Sequence, residues 1–517
     1  MISRNLFLSA TFAVILTLIL VASAPARSAL AANAASVSSV AAPADDAMTA
    51  RLTAVAGAGM YGTHTFEYLT QLSDEVGARV TGSPEAARAV QWGVDTMKAM
   101  GLENVHAEHW QLWRGWTRGV AEAWLVSPTK RKLMVDSVGW VGSTAANGVD
   151  APLVDVNLND MANEMAKNSG NWAGKILLVR RKGAAPARTA GVPDTSFGDF
   201  GKFLVKAYEA HAVAVIGGQG GGKAQGIHLT HTGILGFTTY YDIPVVSMSN
   251  EDQSQLERML DAGKQLKLHI NVQNTATAGP VDAANVVGEI RGTEHPEQII
   301  VVGGHLDSWD LAQGATDNGC GASTTLGAAE AIVRSGMKPK RTIRFVLFTG
   351  EEQGLVGSFA YVKEHQNEMA NHLGDIILDD GQGAVTGIDV GGHDDVKGSV
   401  AAFAKSLRAM GVMTIGSDPE FGTDTGPFIL AGVPGIGMTQ DPSQYGITHH
   451  SAADTLDKVD PAILSRNASI EAVLAFWIAD QLGRFSTPWP VERTKKMLMD
   501  THHDEELKGY GIWPAGW

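Results

Sequence analysis

A single cysteine, Cys320, stands in a chain of 517 residues, so no intrachain disulfide can hold it together. No run of lysine or arginine interrupts the acidic excess: Lys+Arg is 40 against Asp+Glu 55, a formal charge of −15. That balance argues against nucleic acid as a partner and against an anionic membrane surface. Charged residues make up only 18% of the chain while 44% is hydrophobic. This is the composition of a globular protein and excludes a disordered or collagen-like one. At this length the core needs no metal or disulfide merely to fold. No internal repeat is apparent.

What is present begins at the N-terminus. Met1-Ile2-Ser3-Arg4 precedes an apolar run from Leu6 to Ala22, followed by small residues through Ser28-Ala29-Leu30-Ala31. A positive start, a short apolar core and an Ala-x-Ala tail predict a signal peptide over residues 1–31, cleaved on export to the periplasm or the cell exterior. The alternative is an uncleaved anchor, which needs about 20 apolar residues. No cysteine closely follows the run, so a lipidated cysteine is excluded. Residues 32–47, rich in Ala, Ser, Val and Pro, read as a flexible leader.

From Met48 to about Gly101, apolar residues recur at three- and four-residue spacings, the pattern of helices. Between them lies Gly77-Ala78-Arg79-Val80-Thr81-Gly82-Ser83-Pro84, a loop ending in a serine cap with proline at the first helical position. From about 126 to 277 the texture changes to short strands and glycine loops, with strands over Lys175–Val179, Ala212–Ile216 and Ile243–Met248 and a helix from Phe203 to His211. Gly217–Gly222 reads as a loop. This segment holds no cluster of metal ligands apart from His228, His231 and Thr232, and reads as a non-catalytic insert. From Asn285 onwards apolar strands (Ile299–Val302, Thr342–Phe348, Asp375–Leu378, Gly435–Met438) alternate with helices (Gly319–Ser335, Leu355–Met369, Val396–Met410, Pro461–Leu482). Continuous apolar strands separated by helices predict an α/β fold whose largely parallel sheet is covered on both faces. Residues after Trp489-Pro490 show no usable periodicity and form a C-terminal extension, 487–517.

In such folds sites form where strands end, and that is where the polar residues gather. Gly303-Gly304-His305-Leu306-Asp307 follows the first strand, and Gly314-Ala315-Thr316-Asp317 opens a glycine-rich loop. Glu351-Glu352, Asp379-Asp380 and Thr448-His449-His450-Ser451-Ala452-Ala453-Asp454-Thr455 occupy the later loops. Each alone reads as a cap or a solvated charge. Together, two histidines and three carboxylates without a thiolate form a nitrogen and oxygen site suited to zinc, with manganese or cobalt as alternatives. Five ligands exceed one tetrahedral zinc that keeps an open position, and suit two metals about 3.5–4 Å apart sharing a bridging carboxylate. The doubled Glu lets one side chain bind metal while its neighbour serves as a base.

These loops, the Gly77–Pro84 loop and Asn285-Val286-Val287-Gly288-Glu289-Ile290-Arg291-Gly292 resemble the co-catalytic di-zinc exopeptidases, which include bacterial leucyl aminopeptidases and the plasma glutamate carboxypeptidase (carboxypeptidase Q) branch. Trp172-Ala173-Gly174-Lys175 with the Ile243-Pro244-Val245 strand is similar to a protease-associated domain. The resemblance implies a catalytic domain split over 48–125 and 278–486, with a β-rich α/β protease-associated insert at 126–277. It further implies that His305 and Asp379 bind one zinc, Glu352 and His450 the other, and Asp317 bridges both. Glu351 would be the general base, and the Asp307 carboxylate would orient His305. Asp380 and His449 are the alternatives to Asp379 and His450, and the family's spacing favours the latter pair. Asp424 matches a Ser-Asp-His-x-Pro-Phe motif, although Thr425 stands where the family often has histidine. Tyr445 is a candidate hydrogen-bond donor to the oxyanion. Cys320 reads as a small helix-start residue.

The implied activity is hydrolysis of terminal peptide bonds in peptides or dipeptides by a water held between two zinc ions, with an aminopeptidase favoured over a carboxypeptidase. Rivals are a single-zinc glutaminyl cyclase and a binding protein on a dead peptidase scaffold. The full ligand set argues against both.

Overall fold

The strand Ile299–Val302 shows why this sheet is buried on both sides. Ile300 and Val302 join a core cluster with Val286, Phe345 and Leu347, while Ile299 and Val301 join another with Val287, Val346 and Phe348. Successive side chains point to opposite faces, so a run with no polar alternation must be covered twice. One cluster is closed by residues of the helices Cys320–Ser335, Pro461–Ala479 and Pro84–Met100, including Leu326, Phe476 and Met97. Tyr361 and Phe428, from the helices Val356–Glu364 and Thr425–Leu430, close the other.

The sheet has five strands, in the order Glu103–Leu112, Val281–Ile290, Arg341–Phe348, His295–His305 and His372–Ile377. The last three run parallel and the first two antiparallel to their neighbours, a mixed α/β architecture. The three parallel strands end at His305, just before Thr349, and just before Leu378. Their C-terminal edge therefore delivers His305, Glu351, Glu352 and Asp379 to one place.

Residues 43–182, 196–217 and 228–517 of this computed structural model are described, the side chains of 43–45 and 196–197 excepted. The signal-peptide reading, residues 32–42 of the leader and most of the Gly217–Gly222 loop lie outside them, and the flexible-leader reading is corrected at 43–47, which open the helix Pro43–Tyr61. From Ala47 to Trp517 the chain forms one compact unit. A second, eight-stranded sheet is drawn from residues 121–272. Its central strands Val149–Asn157, Ile176–Arg180, Ala214–Ile216 and Val245–Met248 are parallel, around a core of their own that includes Leu178, Ile216 and Val246.

Most helix readings hold, with altered ends. Ser83 Oγ accepts from the amide of Ala86 at 3.1 Å and caps the helix that Pro84 begins. Leu355–Met369 is corrected to a helix over Val356–Glu364 followed by a separate turn at Met369–Asn371. Gly435–Met438 is not a strand of the sheet: Gly435 makes only an isolated bridge with Asp375. The C-terminal extension, unreadable by periodicity, holds two helices, Val491–Asp500 and His503–Tyr510.

Candidate metal centre

His305 closes its strand with 1% of its side chain exposed. Its Nε2 lies 3.1 Å from Asp379 Oδ1, 3.3 Å from Asp317 Oδ1 and 3.9 Å from Glu351 Oε2. On the other side His450 Nε2 lies 3.0 Å from Glu352 Oε2 and 3.3 Å from Asp317 Oδ2. Asp317 thus presents one oxygen to each imidazole. Two compact groupings, His305 with Glu351 and Asp379, and His305 with Asp317 and Glu352, could each hold a metal ion, as could Asp317 with His449 and His450.

The alternatives separate by position. Asp379 faces His305, whereas Asp380 is tied away from the cluster by the Gln440 amide, 3.4 Å from its Oδ2. His449 is nearly half exposed, stacks on His450 at 3.8 Å, and reaches only 3.8 Å from Asp317. The Asp307 carboxylate lies within ion-pair reach of His305, 3.6 Å from its Nδ1, and the Asp307 backbone carbonyl is nearer, at 3.0 Å. That carboxylate also accepts from Thr81 Oγ1 at 2.8 Å and from the Glu351 amide at 3.4 Å.

Several positions essential to this geometry had no role assigned from sequence. Thr81 Oγ1 also accepts the Gly350 amide at 2.9 Å, linking Asp307 to the turn before Glu351. Gly350 has φ +79°, and a Cβ there would stand 2.5 Å from the Trp110 ring. Arg79 is fully buried and donates to the carbonyls of Leu306, Gly77, Gln313 and Gly314 at 2.6–2.9 Å. Asp454 accepts the amides of Thr316 and Asp317 at 2.5 and 3.2 Å and so fixes the backbone of Asp317. The signals were the motif stretches themselves, in which these residues stand beside the candidate ligands.

The electrostatics of the cluster's own side chains are those of crowded acids. Burial first, then the charges of Asp379, Glu352 and Asp424, hold Glu351 well above the usual carboxylate range against the pull of His305. Burial and Asp317 do the same for Glu352. Asp424, wholly buried, is pushed up to about 7, chiefly by burial. Asp317 moves the other way: burial would raise it, but His305 and His450 outweigh that and lower it. Burial, Asp317 and Asp379 raise the Tyr445 phenol, so it remains a hydrogen-bond donor. Burial likewise raises the Cys320 thiol, leaving an inert packing residue at the start of its helix.

The residues fit zinc. Asp317 Oδ2, Glu352 Oε1 and His450 Nδ1 are buried without a hydrogen-bond partner, a costly state for such atoms. A divalent cation among imidazole and carboxylate donors compensates both the orphaned Asp317 and Glu352 oxygens and the crowding.

Residues 285–475 match the peptidase family M28. Carboxypeptidase Q of Mus musculus is 31% identical over 428 residues, covering 82% of this chain and 87% of that protein. The crystal structure of a peptidase M28 precursor from Shewanella amazonensis SB2B superposes with a TM-score of 0.75 at 28% identity, covering 86% of this chain and 100% of that one. BSAP, a zinc aminopeptidase from Bacillus subtilis, shares the fold at 21% identity and a TM-score of 0.61, over 82% of this chain and 97% of that one.

Proposed function

The chain belongs to peptidase family M28 and is a zinc-dependent exopeptidase, and we propose that it uses two zinc ions to cleave short peptides with a free amino terminus. The observation that supports the substrate end is a cavity of about 280 Å³ that meets the candidate metal centre at Asp379 alone. Asp379, Asp380, Asp389, Asp418 and Glu420 line it, and its described lining contains no lysine, arginine or histidine. Such walls favour an ammonium group and repel a terminal carboxylate.

In this reading His305 and Asp379 would hold one zinc, Glu352 and His450 the other, and Asp317 would offer an oxygen to each. Bound zinc polarises a scissile carbonyl and acidifies water. Glu351 takes the proton of the attacking water at its carboxylate and returns it to the leaving amine. Its amide, bonded to Asp307, keeps the side chain at the edge of the cluster. Tyr445 donates its phenol proton in a hydrogen bond to the developing oxyanion, and the buried Asp424 helps to hold the Glu351 pKa up through its charge.

The catalytic domain is proposed to comprise 48–125 and 278–486. The segment 126–277 is then a protease-associated insert that narrows access, and 487–517 a C-terminal extension. Residues 1–31 act as a signal peptide and 32–47 as a leader, so the enzyme works outside the cytoplasm, on peptides rather than nucleic acid or membrane.

Similarity to carboxypeptidase Q favours a second reading, removal of a C-terminal residue. In a dipeptide both readings concern the same bond, so blocked substrates must separate them. Hydrolysis of free-amine dipeptides with N-acetylated ones spared is the expected result. Efficient cleavage of N-acetylated dipeptides would overturn the aminopeptidase reading in favour of the carboxypeptidase.

A further inference from the structure

His450 adopts φ +56°, in the left-handed region where a residue with a Cβ is disfavoured. Such a conformation persists when its surroundings over-determine it. His450's own segment contributes the hydrogen bonds from the His449 amide to Tyr445 and from the Ser451 amide to Thr448, at 2.8 and 3.0 Å. The rest comes from far away in sequence. The Thr232 amide donates to the His450 carbonyl at 2.7 Å, and His231 pairs with Ser451 in an antiparallel bridge. His231 Nδ1 lies 3.0 Å from the His449 carbonyl. A carbonyl only accepts, so Nδ1 carries the proton. His231 is 6% exposed, and its Nε2 is buried without a partner.

The donors are themselves fixed. Thr232 Oγ1 donates to the Ser137 carbonyl at 3.3 Å and accepts from Arg118 Nη2 at 3.0 Å. Arg118 also donates to Asp310 Oδ1 from Nε and Nη2, at 2.9 and 2.6 Å, and Asp310 lies on the loop between His305 and Asp317. The stretch 230–232, sited between strands of the second sheet, thereby joins two of the loops that carry the candidate ligands, the one from His305 to Asp317 and the one holding His450. His231 was noted in the sequence only as a stray ligand-type residue. In the structure its imidazole is turned to a backbone carbonyl.

We propose that His231 and Thr232 are positioning residues for His450, so that the second-sheet segment completes the zinc site. This rests on the two-zinc reading above. The contacts act on the backbone on either side of the imidazole, so their loss would misdirect His450 while leaving the ligands themselves in place. Supporting hydrogen bonds of this kind commonly govern metal affinity by about 10- to 100-fold.

Zinc affinity, read by competition with a chromophoric chelator, tests this together with the Tm of the metal-free protein. His231→Ala is expected to weaken one of the two zinc ions by about 10- to 100-fold, leaving the other and the metal-free Tm near wild type. Asparagine places an amide N–H close to the position of Nδ1, whereas glutamine matches Nε2. His231→Asn should therefore restore most of the affinity and His231→Gln should not. Wild-type affinity for both ions in His231→Ala, or equal behaviour of the Asn and Gln variants, would overturn the inference. A wild-type protein that binds no zinc would bring down the two-zinc reading itself, which an unchanged His231→Ala would not.

Discussion

Thr81→Val removes one hydroxyl while keeping the side-chain shape, and the structure sets what that hydroxyl does. It is buried, donates to Asp307 Oδ2 at 2.8 Å, and accepts the Gly350 amide at 2.9 Å. Valine leaves the buried amide unsatisfied, costing about 1–3 kcal/mol, and deletes a bond to a carboxylate worth about 1.5–3 kcal/mol. The two share one atom and do not simply add, so we expect a loss of about 3–4 kcal/mol. Unfolding entropy of about 2.1 cal/mol/K per residue, over the unit Ala47–Trp517, gives roughly 1 kcal/mol per degree. The Tm should therefore fall by about 3–4 °C in a calorimetric scan of the metal-free protein. Gly350 precedes Glu351, so kcat should also fall, by roughly 10- to 100-fold, since small displacements of a reacting group cost that much. Thr81→Ser keeps the hydroxyl and is the control. Equal Tm and kcat for the Val and Ser variants would refute the claim that this hydroxyl positions Glu351.

Glu351→Gln should lower kcat by about 100- to 10,000-fold with zinc content unchanged by elemental analysis; substantial turnover would remove Glu351 from the role of base. A second expectation concerns pH and the His365–Glu108 contact at 2.9 Å. Burial would lower the His365 pKa, but Glu108, with help from Glu368 and against Arg344, leaves it raised. The native state thus binds a proton that the unfolded chain releases near pH 6.5. The stabilisation is complete below that pH and is lost as pH rises through the higher folded value. The Tm gap between wild type and His365→Asn should accordingly be wider at pH 6 than at pH 9, and a gap independent of pH would contradict the raised pKa.

The parallel strands were legible because their apolar runs are continuous, and His305, Glu352 and Asp379 because each stands at or just past the end of such a run, whereas Asp317 and His450 lie in loops away from the strand ends. The resemblance to the family's motif then carried the choice of His450 over His449, which the distances to Glu352 and Asp317 favour. What escaped depends on backbone partners that no local pattern encodes. Asp307 was read as acting on His305 through its carboxylate, which lies 3.6 Å from the ring, but its backbone carbonyl stands nearer, at 3.0 Å. Gly435–Met438 looks apolar enough for a strand, yet its neighbours offer only one bridge at Gly435. The contact of His231 with His449 spans 218 positions, and neither residue's surroundings in sequence announce it. The C-terminal helices are short, ten and eight residues, and bury few apolar side chains, Leu498 and Leu507 among them.

The central claim is a two-metal centre in which Asp317 serves both ions. Zinc stoichiometry, measured by titrating the metal-free protein and checked by elemental analysis, tests it most directly. Two zinc ions per chain are expected for the wild type, and fewer than two retained by Asp317→Asn. A wild type that saturates at one zinc, or an Asp317→Asn variant that holds two as tightly as the parent, would contradict it.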